Sequence, residues 1–435
     1  MHHAFARSML IGVAASAATV ALAVPVMAAT SARTGGSPST AYVSRDTLTV
    51  ATRGSDSGNC QSSPCQTLGY ALTQASPNAK IVIDPGTYPE SGHANLVSAG
   101  LTGLKITSTG PAARTIIDAA GNANGILIQA SGVSVTGLTV ENASLEGILA
   151  EPPLSSWPAG PTSAPANISH VTIAGNVVVH NDLAYNTSLP PTSACPSSLT
   201  DADDCGEGIH LLAASWSKVT GNRVTGNVGG ILVSDGGIGT SGISVGPAAH
   251  NLIAYNDSSD NAFDCGITLP GHDPRAVATT GPDAGQPQPN LAGVYDNEVV
   301  FNETNGNGGA GLLDAAPFPG TGSYDNLFAD NSASGNGNGG FVLHSHAPLQ
   351  DVSGIVVTGN RFGQNNLAGD ADTGVMPTTG VMLLSVAVPT SIVVSNNLIF
   401  DNVNGVAFNS DITVVGHNQF ADVTNPSLSY TPPAS

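Results

Sequence analysis

Seven times along the chain an asparagine is followed five positions later by another: Asn176 and Asn181, Asn222 and Asn227, Asn251 and Asn256, Asn297 and Asn302, Asn326 and Asn331, Asn360 and Asn365, Asn397 and Asn402. After each pair, at a variable distance, comes a Gly-apolar stretch such as Gly208-Ile209-His210-Leu211, Gly230-Ile231-Leu232-Val233 or Gly266-Ile267-Thr268-Leu269. One short unit recurring with inserts of uneven length is the mark of a solenoid, in which each unit buries its apolar side against its neighbours. The chain has 435 residues, more than the roughly 250–300 at which a single globular core stops growing, and a one-dimensional stack escapes that limit.

Composition agrees. Glycine at 52 residues, aromatics at 5% and charged residues at 10% describe many tight turns and long uncharged faces, the proportions of an all-β solenoid. The formal net charge is -20 with only 11 Lys and Arg. Nucleic acid and an anionic membrane surface are therefore repelled partners, since few cations are present to release counterions. No cofactor is specified, and a cation such as Ca²⁺ is compatible with that charge.

The first residues, with His2, His3 and Arg7 before an apolar run from Met9 to Val26, read as a secretory signal over 1–28,. Its small residues around Ala28 suit cleavage, against the alternative of an uncleaved anchor. A flexible linker is expected over 29–45, an N-terminal cap over 46–79, stacked coils over 80–420 and a tail over 421–435. Five cysteines fit an exported chain: Cys60 and Cys65 can pair, Cys195 and Cys205 bracket a loop, and Cys265 is expected as a buried small hydrophobe,.

Leu68, Ala71, Leu72 and Ala75 recur at helical spacing and predict a short amphipathic helix that closes one end of the stack. The coils then open with Lys80-Ile-Val-Ile-Asp-Pro-Gly-Thr-Tyr-Pro-Glu90. This cap, first coil and run of Gly-Ile and Asn rungs, spanning about residues 46–420, resembles the right-handed parallel β-helices of the pectate-lyase-like superfamily. The resemblance implies a right-handed parallel β-helix of about ten coils.

Within a rung, period-two alternation turns Ile209 and Leu211 one way and His210 the other, and likewise Ile267 and Leu269 against Thr268. The asparagines are expected at coil corners, in left-handed backbone, each bonding its counterpart one coil along. Asn142 is expected to extend that ladder and Asn418 to begin a last, incomplete coil. Surplus residues between coils, about 150–167, 182–205, 236–248, 270–292 and 366–378, are expected as loops walling a groove over a flat sheet.

The same coils carry the densest polar side chains: Glu207 and His210 on one rung, Ser234 and Asp235 ending the next, and Asp264, Thr268, His272, Asp273 and Arg275 around the one after, with Asp314, His344 and His346 beyond. Strands about 4.8 Å apart bring outward side chains of successive rungs into the roughly 5–9.5 Å range used by carboxylate pairs in glycoside hydrolysis. Asp235 with Asp264 or Glu207 is the expected acid–base pair, with His210 or His272 as proton shuttle. The competing reading makes each Asp a turn-former bonded to local backbone.

Among β-helical enzymes, Pro270-Gly271-His272-Asp273 is similar to the Asp-Pro-His-Asp element of mannuronan epimerases, without its leading Asp and with Gly in place of Pro. Gly271-His272 matches part of a polygalacturonase motif whose basic element is missing here. Arg275 is the one cation in the expected groove for a pectate-lyase-type base. Asp201-Ala-Asp203-Asp204-Cys205-Gly206 is similar to a Ca²⁺ loop with Cys205 at an oxygen-ligand position. His344 and His346 flank Ser345 as transition-metal ligands would, as in copper-associated periplasmic β-helix proteins.

The expected function is that of an exported monomer that binds an extended polysaccharide or cell-surface glycan, and cleaves or modifies it as a lyase, hydrolase or epimerase. The alternatives are a non-catalytic adhesion solenoid and a metal-handling protein. Fold-level likeness supplies much of that expectation.

Overall fold

The computed structural model describes residues 46–90, 94–156, 158–159, 163–182, 206–236, 245–345, 347–370, 375–385, 390–409 and 411–430. The expected signal, the linker and the Cys195/Cys205 pair lie outside them, as do Asp203, Asp204 and His346. Among the described residues no helix is long and apolar enough to cross a membrane.

The chain folds as a right-handed parallel β-helix whose coils pass through three faces. One face is a twelve-stranded sheet and another an eleven-stranded sheet. The third is made of a six-stranded and a four-stranded sheet, joined through isolated bridges from Asp257 to Glu303 and from Glu303 to Ser332. The stack is thus slightly taller than the ten or so coils expected.

Register persists from coil to coil, so that side chains form columns. Ile173, Val219, Ile253, Val299 and Phe328 stack inside the twelve-stranded sheet, and Ile148, Ile209, Ile231, Ile267 and Leu312 inside the eleven-stranded one. All belong to one continuous apolar core. The alternation read from the sequence holds: Ile209, Leu211, Ile267 and Leu269 join this core, whereas His210 and Thr268 do not.

The asparagines form three ladders, not one. The first runs through Asn176, Asn222, Asn256, Asn302, Asn331, Asn360, Asn397 and Asn418, each main-chain N–H donating to the Oδ1 of the next at 2.9–3.1 Å. The second runs from Asn181 through Asn227, Asn261, Asn307, Asn336 and Asn365 to Asn402. The third joins Asn251, Asn297 and Asn326.

Adjacent ladders sit five residues apart because a three-residue strand separates adjacent corners. The recurring pair therefore slips phase: Asn222 and Asn227 occupy the first and second ladders, Asn251 and Asn256 the third and first. Asn418 does close the first ladder. Asn142 lies outside the ladders, because it is the neighbouring Ala143 whose N–H donates to Asn181 Oδ1 at 3.1 Å.

Nor do the ladder asparagines themselves take the left-handed backbone. The residue before most of them does: Gly175, His180, Gly221, Gly226, His250, Tyr255, Asp260 and Phe301 all have positive φ, whereas Gln364 and His417, before Asn365 and Asn418, do not. That turn aims the following amide side chain into the wall of the coil, where it is buried. Asn256 and Asn302, which match glycosylation sequons, are buried in this way.

The cap is as expected, a helix at Leu68–Gln74. Thr67 caps it by accepting from the Tyr70 N–H at 3.2 Å. Buried Glu90, at the end of the first coil, accepts from the N–H groups of Leu68 and Gly69 at 2.8 and 3.0 Å. Burial pushes the Glu90 carboxyl up to about 7 against the pull of these two donors. Cys60 and Cys65 form a disulfide, and Cys265 is a buried free thiol. Residues Asn425–Tyr430 add a last parallel strand to the eleven-stranded sheet.

Candidate functional site

The candidate site lies on the outer face of the eleven-stranded sheet. Two successive coils enter it with the same tripeptide, Glu146-Gly147-Ile148 and Glu207-Gly208-Ile209. Ile148 pairs with Ile209, and the Gly147 N–H donates to the Glu207 carbonyl at 3.1 Å. The glycines are required: a Cβ on Gly208 would lie 2.3 Å from Val224 Cγ1 and 2.8 Å from Asn227 Nδ2, inside the coil. Local backbone at the glycine thus breaks the alternation, so the preceding glutamates form a column outside the core.

His210 follows on the second of these rungs. Its Nδ1 lies 3.7 Å from Glu146 Oε1, and its Nε2 is 2.9 Å from Ser234 Oγ on the next coil. One ligand-capable atom from each of Glu146, Glu207 and His210 can be chosen so that all lie within 4.8 Å of one another. All three residues are buried. Glu151, at the far end of the Ile148–Ala150 strand, joins the cluster electrostatically. Burial raises its carboxyl above the ordinary carboxylate value and Glu146 adds to that, while a 3.1 Å hydrogen bond from Gln129 Nε2 and the nearby His210 oppose it.

On the next coil the glutamate column is interrupted by Gly229, which pairs with Glu207. A Cβ placed there would be 3.1 Å from Glu207 Oε1 and 3.4 Å from Asp264 Oδ2. Two carboxylates on rungs two coils apart therefore approach one point that carries no side chain. The other oxygen of Asp264 accepts from the Cys265 N–H at 2.7 Å, so this residue combines the turn-forming role with a place beside the cluster. Gln129, Glu151 and Asp264 are partly exposed and mark the side from which the cluster is reached.

The other expected site residues gather elsewhere. Asp235 Oδ1 accepts from the N–H groups of His272 and Asp273 at 2.6 and 3.0 Å, and its Oδ2 from Gly293 at 2.7 Å. Asp273 receives Arg275 through Nε at 3.2 Å and Nη2 at 2.9 Å. Arg275 also donates to the carbonyls of Val245 at 3.0 Å and Ser163 at 3.3 Å. This buried knot ties together three insertions, around residues 163, 245 and 270–292. Burial, with the negative Asp273 adding to it, pushes the Asp235 carboxyl up to about 7.

Of the expected residues, then, Glu207, His210 and Asp264 come together, whereas Asp235, His272, Asp273 and Arg275 form a separate bracket. Asp314 does not continue the outer face. It pairs with Leu269 and Leu343 in the inward column, accepts from Asn326 Nδ2 at 3.0 Å, and is held at about 7 by burial, with hydrogen bonds from Ser323 and Asn326 opposing. The expected open groove is a covered face over these coils, with Leu149, His210, Leu232, Thr268 and Val342 all buried. Met376, from the 366–378 insertion, packs with Val342, Met382 and Ala407. Glu146 and Glu151 escaped the sequence reading, although the repeated Glu-Gly-Ile tripeptide was a visible signal for the first.

No protein-family model matches the chain, and no curated protein does. Among solved structures it is similar to the A-module of a mannuronan C-5 epimerase from Azotobacter vinelandii, at 14% identity and a TM-score of 0.49, over 82% of this chain and 90% of that one. It is also similar to an alginate lyase from a Paenibacillus species, at 14% identity and TM-score 0.45, over 89% and 98% of the two chains. A third is the catalytic unit of an α-1,3-glucanase from Streptomyces thermodiastaticus, at 12% identity and TM-score 0.42, over 92% and 70%. The fold assignment stands on the parallel sheets of the chain itself.

Proposed function

We propose that this is an exported, monomeric β-helical enzyme that cleaves or modifies an extended polysaccharide at the Glu146–Glu207–His210 cluster. The observation that carries the reading is the meeting of Glu207 and Asp264 across Gly229, with the His210 imidazole alongside. Carboxylates this close, flanking a position without a side chain, suit acid–base work on a glycosidic or uronate centre. Glu151 and Gln129 supply polar contacts at the accessible side. The low cation count favours a neutral glycan, or a uronate bridged by metal.

Screening neutral and uronic polysaccharides with the purified protein tests this reading. Turnover of one of them, lost in Glu207→Gln with an unchanged unfolding midpoint, is the expected result; equal turnover in the variant removes the cluster from the chemistry. A non-catalytic surface solenoid is the second reading. It is favoured by the rings of Tyr255 and Phe301, which stack at 5.1 Å while 65% and 47% exposed, because exposed aromatic pairs serve as contact platforms.

A further inference from the structure

We infer that Glu146, Glu207 and His210 form a binding site for a divalent transition-metal ion of the zinc or manganese class. Two independent features point to a cation. The first is the glutamate column: identical Glu-Gly-Ile tripeptides in register place two buried carboxylates one strand spacing apart, an arrangement that repels when both are ionised and is relieved by a shared positive charge,. The second is His210, only 1% exposed. Its Nδ1 has no hydrogen-bond partner and points toward the Glu146 carboxylate at 3.7 Å. In the tautomer whose Nε2–H donates to Ser234 Oγ, Nδ1 presents its lone pair to the cluster. An outer partner of this kind fixes the ring of metal-bound histidines.

One imidazole nitrogen and two carboxylates are a ligand set for zinc or manganese rather than for Ca²⁺, which takes six to eight oxygens. The ligand atoms lie within 4.8 Å of one another, and bonds of about 2.0–2.2 Å need them roughly 3.3–3.6 Å apart. Small side-chain rotations close that difference, and the missing Cβ at Gly229 leaves room beside Glu207. The inference concerns the cation alone and stands whether or not this face turns over a glycan.

The full chain, stripped with a chelator and dialysed, would be titrated calorimetrically with Zn²⁺, Mn²⁺ and Ca²⁺, and its metal content measured by plasma mass spectrometry. Wild type should take up one more equivalent of Zn²⁺ than His210→Gln. Glu146→Gln and Glu207→Gln should each weaken that equivalent at least about tenfold, and Ca²⁺ should bind at least about tenfold more weakly than Zn²⁺. Zinc should raise the unfolding midpoint of wild type and not that of His210→Gln. Equal zinc stoichiometry and affinity in all three variants, or Ca²⁺ binding as tight as zinc, overturns the site. Should His210→Gln fail to fold, Ser234→Ala takes its place: it keeps every ligand and loosens only the imidazole. An approximately tenfold loss of zinc affinity is expected there, and unchanged affinity overturns the assignment.

Discussion

Around Asp235 every carboxylate oxygen has a donor, and the guanidinium of Arg275 spends itself on Asp273 and on two carbonyls of other loops. Around Glu146 and Glu207 the chain stacks acid on acid, and sets beside them an imidazole nitrogen without a hydrogen bond. Both clusters are buried and both are rich in acid. In the first, folding itself uses up the bonding capacity, so the charges hold loops in place. In the second, the Nδ1 of His210 is left over, and that remainder is what a substrate group or a cation can engage. The contrast teaches that a dense run of charged residues in sequence is a poor guide to a site, because charges close together in a loop tend to satisfy one another.

The sharpest way to break the contrast is to cut the knot. Arg275→Met should destabilise the protein by about 3–5 kcal/mol, because it strands the Asp273 carboxylate in the interior; a midpoint of thermal unfolding within a degree of wild type would place the knot outside the stability of the coils. Next in size, His210→Gln should lower turnover on the active polysaccharide by about 100-fold or more with little change in that midpoint. A large loss of stability instead would make the Glu–His cluster a second knot.

A third prediction concerns pH. Asp314 has a folded value near 7, well above the 3.8 of an exposed aspartate, so the folded state holds its proton more tightly than the unfolded chain does. The stability it contributes is complete below about pH 4 and is lost as pH rises through about 7. Glu90 and Asp235 share that direction. Asp314→Asn should therefore flatten part of the fall in unfolding midpoint between about pH 4 and pH 7, and an unaltered slope would remove Asp314 from the linkage. The smallest effect belongs to Tyr255→Ala, expected within about 1 kcal/mol for an exposed ring stacked on Phe301,. Were this variant to abolish glycan binding with turnover chemistry absent, the surface-solenoid reading would gain the ground the cluster loses.

Much of this architecture is legible in the sequence because solenoid corners are written in few letters. The asparagines, the Gly-Ile entries into the eleven-stranded sheet and the spacing of Leu68, Ala71 and Leu72 each report a local requirement that the fold keeps. The phase slip between ladders is not legible, since a corner, a three-residue strand and the next corner give a spacing of five whichever two corners are involved. Nor is the fate of Asp235 and Asp314: the amides of 272–293 reach Asp235 from other coils, and the side chain of Asn326 reaches Asp314 from the next corner of its own winding. His210 was readable as an outward residue, whereas Glu207 shares the parity of inward Ile209 and Leu211 and turns outward only through the backbone at Gly208. Glu146 needed the further step of aligning its tripeptide with that of Glu207.

The backbone twist just ahead of most ladder asparagines has a consequence for the outside of the molecule. Because the amide does the gripping, the residue before it has only to tolerate positive φ, and the chain fills that place with Gly, Asp, Asn, His, Tyr or Phe. These positions recur once per winding at the pitch of neighbouring strands, about 4.8 Å, and so form an evenly ruled rail on the surface. Side chains written along it can be exchanged without touching the interior, which gives evolution, or an experimenter, a ready-made track on which to space contacts for a long repetitive ligand.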